Sequence, residues 1–120
     1  MIAPAAILFV LSQAPQLDLA GDYRTSQMEV AGALELQPGG SFRFALEYGA
    51  VSEYAEGSWA FSGNTVRLTS KPLPPQPQPE LSWTRFEAQP LLVDGGSLLL
   101  QRHDTVIRFR RVSSGGRQED

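Results

Sequence analysis

The strongest constraint in this chain is a hydrophobic period of two. Phe42, Phe44 and Leu46 alternate with Arg43, Ala45 and Glu47, the pattern of a strand with one face buried and the other in water. Val66 and Leu68 alternate likewise with Thr65, Arg67 and Thr69, and Met28, Val30, Leu34 and Leu36 share a face around Gly32, opposite Glu29, Glu35 and Gln37. No window sustains the i, i+3, i+4, i+7 spacing of an amphipathic helix. The expected fold is all-β.

Turn chemistry divides the chain into strands. Pro38-Gly39-Gly40-Ser41, Tyr48-Gly49, Gly63-Asn64, Asp94-Gly95-Gly96 and His103-Asp104 each interrupt an alternating run, and Gly-Asn is a two-residue hairpin signal. His and Asp also tolerate the positive φ that a tight turn demands. The runs between the turns predict strands over 19–25, 28–36, 42–47, 51–61, 65–70, 81–88, 97–102 and 105–112, the last-but-two carrying Trp83. Between them, residues 71–80 hold Pro72, Pro74, Pro75, Pro77 and Pro79, which remove backbone donors and fix φ, so this stretch reads as an extended connector. About eight short strands at regular spacing suit a single antiparallel up-and-down barrel. Its expected inward set is Met28, Val30, Leu34, Leu36, Phe42, Phe44, Leu46, Trp59, Phe61, Val66, Leu68, Leu81, Trp83, Leu98, Leu100, Ile107 and Phe109. Residues this large fill an eight-stranded barrel.

The ends differ from the body. Residues 1–11 carry only apolar side chains and Pro4, and 5–11 have the length of a signal-peptide core, followed by the small-residue site Ser12-Gln13-Ala14. The run is too short to span a bilayer. We therefore expect a leader over 1–16, a mature chain beginning near Pro15 or Gln16, a barrel domain over 17–113 and a polar tail over 114–120, with a periplasmic or secreted location and no transmembrane span in the mature chain.

The chain resembles the lipocalin-like small barrels of exported bacterial proteins. The resemblance covers residues 19–70 and rests on Gly21-Asp22-Tyr23, Leu34-Glu35-Leu36 before Gly40-Ser41-Phe42, Tyr48-Gly49, and Gly57-Ser58-Trp59 before Gly63-Asn64-Thr65-Val66-Arg67-Leu68. Lipocalins carry Gly-x-Trp on the first strand, covered by a late arginine. Here Tyr23 stands in the tryptophan's place, and Arg108, Arg110 and Arg111 are all candidates for the cover. The resemblance implies an up-and-down barrel whose usual business is binding a ligand or partner, although a fold by itself does not fix function.

Composition excludes several chemistries. The absence of cysteine removes disulfides, thiol nucleophiles and thiolate metal sites. One histidine, His103, cannot assemble a zinc site, and its neighbour Asp104 points away from it along the chain. No nucleophile elbow or phosphate-binding glycine loop is present. Glu47, Glu53 and Glu56 lack calcium-loop spacing and read as solvated strand-end acids. We expect no enzyme activity, no cofactor and no metal. The net charge of −3 gives no reason to expect nucleic acid. Arg102, Arg108, Arg110, Arg111 and Arg117 do concentrate half of the ten basic residues in the last twenty positions, which reads as a solvated face and tail, since polyanion sites need denser clusters.

Two functions remain. One is a non-catalytic extracytoplasmic barrel that contacts a small apolar ligand or an envelope component, with Tyr23, Tyr48, Trp59, Trp83 and Arg85 as candidate ligand residues. The other is a protein-interaction module or inhibitor acting through 71–80, with Pro74, Pro75 and Pro77 in contact with the partner. Arg85 and Glu87 continue the face of Trp83, so either that face is internal and the pair is buried or stacked on Trp83, or the strand end is exposed and Phe86 is the buried residue.

Overall fold

Five hairpins close with two-residue turns, and four of those turns were legible as glycine or His-Asp punctuation. In the computed structural model, which describes residues 18–72 and 83–112, eight strands run in order: β1 (Gly21–Gln27), β2 (Val30–Leu36), β3 (Ser41–Tyr48), β4 (Val51–Ser62), β5 (Thr65–Ser70), β6 (Gln89–Asp94), β7 (Ser97–Arg102) and β8 (Thr105–Arg111). Each pairs antiparallel with its sequence neighbours, and β1 meets β8 to close the barrel. Gly49, Gly63 and Gly95 take φ of 58°, 66° and 61° at their turns, and His103 and Asp104 both lie at positive φ, 55° and 60°. Two consecutive left-handed residues match the right-handed twist of the strands they join.

The inward faces form one core. Leu34, Leu36, Phe42, Phe44, Leu46, Trp59, Val66, Leu68, Leu98, Leu100, Ile107 and Phe109 are buried as the alternation predicts, and Val30 with them. Outward positions carry Arg24, Arg43, Glu47 and Arg67, the reverse of a membrane-spanning barrel, whose lipid face is apolar. Among the described residues no helix is long and apolar enough to cross a membrane.

Three expectations are corrected. Met28 is 89% exposed rather than inward, because Met28 and Glu29 form the β1–β2 turn, with Glu29 at φ 63°. The predicted strand over 81–88 is not one. Among its described residues, 83–88, only Trp83 makes a bridge, parallel to Tyr54, and the sixth strand lies at Gln89–Asp94, where Leu91 is buried. Pro90 is tolerated there because β7 joins β6 only from Leu92 onward, so no ladder bond on that side is lost. Tyr23 is a core residue, 2% exposed. Phe61 and Trp83 are only half-buried. Leu81 lies outside the described residues.

The long connector completes the wall. β4 has twelve residues, but β5 pairs only with its second half, Gly57 to Ser62. Residues 83–86 take the vacant edge: Thr84 N–H donates to the Tyr54 carbonyl at 2.8 Å, and Ser70 N–H to the Phe86 carbonyl at 2.9 Å. The crossing is tight at Gly57, where an added Cβ would stand 2.1 Å from the Thr69 carbonyl oxygen. Gly57→Ala should therefore lower stability by more than about 2 kcal/mol, checked by urea unfolding. An unchanged midpoint would mean that β4 and β5 do not approach this closely.

Candidate functional site

Strand direction gives the barrel two ends. The turns at 28–29, 49–50 and 103–104 lie at one end, with residues 71–72 and 83–88; residues 18–20 and the turns at 37–40, 63–64 and 95–96 lie at the other. The predicted ligand residues divide between them.

At the second end Tyr23 and Trp59 serve as structural fasteners. The Tyr23 hydroxyl donates to the Leu19 carbonyl at 2.7 Å, and the Trp59 indole N–H donates to the Gln37 carbonyl at 2.9 Å. The Arg111 guanidinium sits 5.8 Å from the Tyr23 ring centroid and bonds the Asp18 and Ala20 carbonyls. Of the three candidate arginines, Arg111 is thus the one that covers the first-strand aromatic residue. Burial raises the Tyr23 pKa above its usual 10, opposed by Arg111.

At the first end an inward-facing carboxylate closes the mouth. Glu53 follows the parity of Ala55, Gly57 and Trp59 on β4, so it points into the barrel, and its side chain is only 11% exposed. Arg102, at the end of β7 in phase with Leu98 and Leu100, bonds both its oxygens, with Nε to Oε1 at 2.9 Å. His103 Nε2 lies 3.1 Å from Oε1, and the Thr84 hydroxyl donates to Oε2 at 3.2 Å. Tyr48 packs on the His103 ring at 4.8 Å. The Arg102 bonds, then His103, outweigh burial and hold the Glu53 carboxyl down at about 2, while the same contact raises Arg102. Glu53 is therefore no solvated strand-end acid, as the sequence suggested, and the carboxylate facing His103 is Glu53 rather than Asp104.

Beneath this ion pair lies Phe86, 2% exposed. Its ring stands 5.0 Å from Phe44 edge-on and 6.3 Å from Phe42, with the Arg102 guanidinium 5.2 Å above it. Arg85 and Glu87 point outward and make an exposed contact at 3.7 Å, so the exposed-end alternative holds, and Phe86 is the buried residue. Trp83 meets Tyr54 edge-on at 4.8 Å, outside the mouth. Tyr54 donates to Glu56 at 2.7 Å, which also pairs with Lys71 at 2.7 Å. Those bonds lower the Glu56 pKa, Lys71 first, and raise that of Tyr54. Pro74, Pro75 and Pro77 lie outside the described residues. Among the described residues no three His, Asp or Glu side chains converge to hold a metal.

Glu53, Arg102 and Phe86 were missed as a site by sequence reasoning, although strand parity with Ala55, Gly57 and Trp59 and with Leu98 and Leu100 could have placed the first two inward. Because Glu53 is held below an unfolded value near 4.5, its contribution to stability is complete above that pH and disappears as pH falls toward 2. It amounts to about 2 kcal/mol, less than the full displacement implies because water reaches the mouth. Glu53→Gln should abolish this acid-side loss and lower stability at neutral pH, measured by urea unfolding across pH 2 to 7; a wild-type acid profile in the variant would contradict the assignment. Comparison of the chain with family models, with curated proteins and with solved structures finds no match.

Proposed function

We propose that this domain is a non-catalytic barrel acting outside the cytoplasm, which contacts an envelope component through its outer surface and carries no small ligand within. The observation that carries this reading is the packing of large side chains through the interior. Phe42, Phe44, Phe86 and Phe109 occupy the axis with ring centroids 5.0 to 6.3 Å apart, ordinary packing distances for aromatic rings. Leucines from β2, β3, β5, β6 and β7 fill the space around them. A lipocalin-like carrier would need that volume for its ligand. The lipocalin-like reading itself is supported by the eight-stranded closure and by Arg111 over Tyr23, and the departure lies in the interior.

The non-catalytic reading draws on the mouth. A carboxylate held near 2 takes up a proton too weakly to act as a general base near neutrality. Export draws on the apolar run over 1–11. Cell fractionation with N-terminal sequencing tests it, with mature protein starting near Pro15 outside the cytoplasm as the expected result and an intact Met1 on cytoplasmic protein as the contrary one.

A second reading, a protein-interaction module using the proline-rich stretch, has one observation in its favour. Lys71 N–H bonds the Glu56 carbonyl at 3.0 Å and Thr84 N–H bonds Tyr54, so the chain leaves and rejoins the barrel at neighbouring points of β4. Replacing 73–80 by a glycine-serine linker separates the readings, since a partner that survives the change does not use the prolines.

For the packed interior, Phe44→Ala should cost about 3 to 5 kcal/mol, with no recovery on adding fatty acid. A nearly unchanged melting point together with strong stabilisation by fatty acid would show a ligand cavity instead.

A further inference from the structure

We infer that the outer wall made by β6, β7, β8 and β1 docks on membranes of anionic phospholipid. The inference rests on the reading of an envelope-contacting barrel and names the component. Two unexplained features share this wall. The first is the seam between β1 and β8, where pairing is limited to Tyr23 with Arg111 and Arg24 with Arg110. Beyond them the Gln27 side chain accepts the Arg108 N–H at 2.9 Å in place of a strand carbonyl, and the strands diverge around a cleft of about 300 Å³. Arg24 and Arg110 therefore face each other directly across two strands, both exposed, an unfavourable placement for like charges. Neither makes an ion pair among the described residues; the nearest acid on that face of β1 is Asp22, two positions from Arg24. Arg108, on the same face, shares only the exposed Asp94 at 3.0 Å.

The second feature is an apolar groove of about 290 Å³ whose floor is Pro90, Leu92, Leu99 and Val106. Leu92 is 45% and Val106 50% exposed. Leu99 is the direct cross-strand neighbour of Arg108, so groove and arginines form one continuous face. Elsewhere the wall looks different: Glu35 faces Arg43 and Arg43 faces Glu56 across β2, β3 and β4, opposite charges already matched.

Charge complementarity selects the occupant. A surface with apolar residues beside unmatched arginines fits one whose anionic headgroups border hydrocarbon. A soluble phosphate would leave the groove uncovered. Because the whole chain carries a net charge of −3, attraction to an anionic bilayer has to come from this face and so fixes the orientation of the barrel. Each arginine near such a surface contributes about fivefold in affinity, so binding is modest, reversible and salt-sensitive.

The test is co-sedimentation of the full chain with vesicles of phosphatidylcholine alone or mixed with phosphatidylglycerol. Wild-type protein should prefer the phosphatidylglycerol vesicles, and should lose that preference near 1 M salt, where the screening length falls to about 3 Å. The double variant Arg24→Gln/Arg110→Gln should bind them about 25-fold more weakly while melting no lower than wild type, because the opposed charges are gone. Leu92→Ser should weaken binding on both lipids. Equal binding to both vesicle types, or binding unaffected by the arginine substitutions, would overturn the inference and assign any membrane affinity to another part of the chain. Titration with inorganic phosphate that saturates the seam while vesicles are ignored would also overturn it. If vesicle binding fails but the protein still fractionates with the envelope, the envelope reading stands without this inference; if it fractionates with the cytoplasm, that reading falls separately.

Discussion

The barrel depends on Phe86. An eight-stranded barrel has room along its axis for side chains and little else, and here the wall is incomplete where β5 stops short of the first half of β4. An open edge beside an apolar interior would admit water and offer unpaired backbone groups to other chains. Residues 84–86 answer both problems. Thr84 and Phe86 satisfy backbone groups of Tyr54 and Ser70, and the Phe86 ring enters the interior against Phe42 and Phe44. Because the Ser70 hydroxyl also accepts the Phe86 N–H at 2.9 Å, the plug is fixed to the strand end that it bypasses.

The ion pair at the mouth is built on that plug. Arg102 lies over the Phe86 ring while bonding Glu53, and Thr84 from the same connector bonds the same carboxylate. A half-buried ion pair does not in itself guarantee stability, since desolvation opposes the attraction. Its role here is geometric: it ties β4, β7 and the connector together at one point, so that the connector cannot leave without stranding a charge. At the opposite end Arg111 performs a comparable closure, covering Tyr23 and bonding two carbonyls that precede β1. Both ends are fastened and large side chains pack along the axis, while the outer wall carries Arg24, Arg110 and the apolar groove.

Local pattern carried most of the fold and little of the site. Alternation and glycine turns located seven strands, because side-chain parity and turn geometry are properties of a few consecutive residues. The sixth strand failed since 81–88 carries a strand-like alternation of its own, while Pro90 in the true strand is acceptable only because of the short reach of β7. Met28 had the right parity but sits in a turn. Glu53 could have been placed inward from Ala55, Gly57 and Trp59. Its partner Arg102 is 49 residues away, a separation that no local rule bridges. The same holds for Arg24, which closure of the barrel brings beside Arg110 and which makes the basic cluster denser than the C-terminal sequence suggested.

The most direct test of the plug is equilibrium urea unfolding of Phe86→Ala, followed at neutral and at acid pH. The account predicts a loss of about 3 to 5 kcal/mol, together with an acid transition moved to higher pH, because Arg102 loses the ring that positions it over Glu53. A variant with wild-type stability and a wild-type acid transition would contradict the claim that Phe86 closes the barrel and supports its mouth.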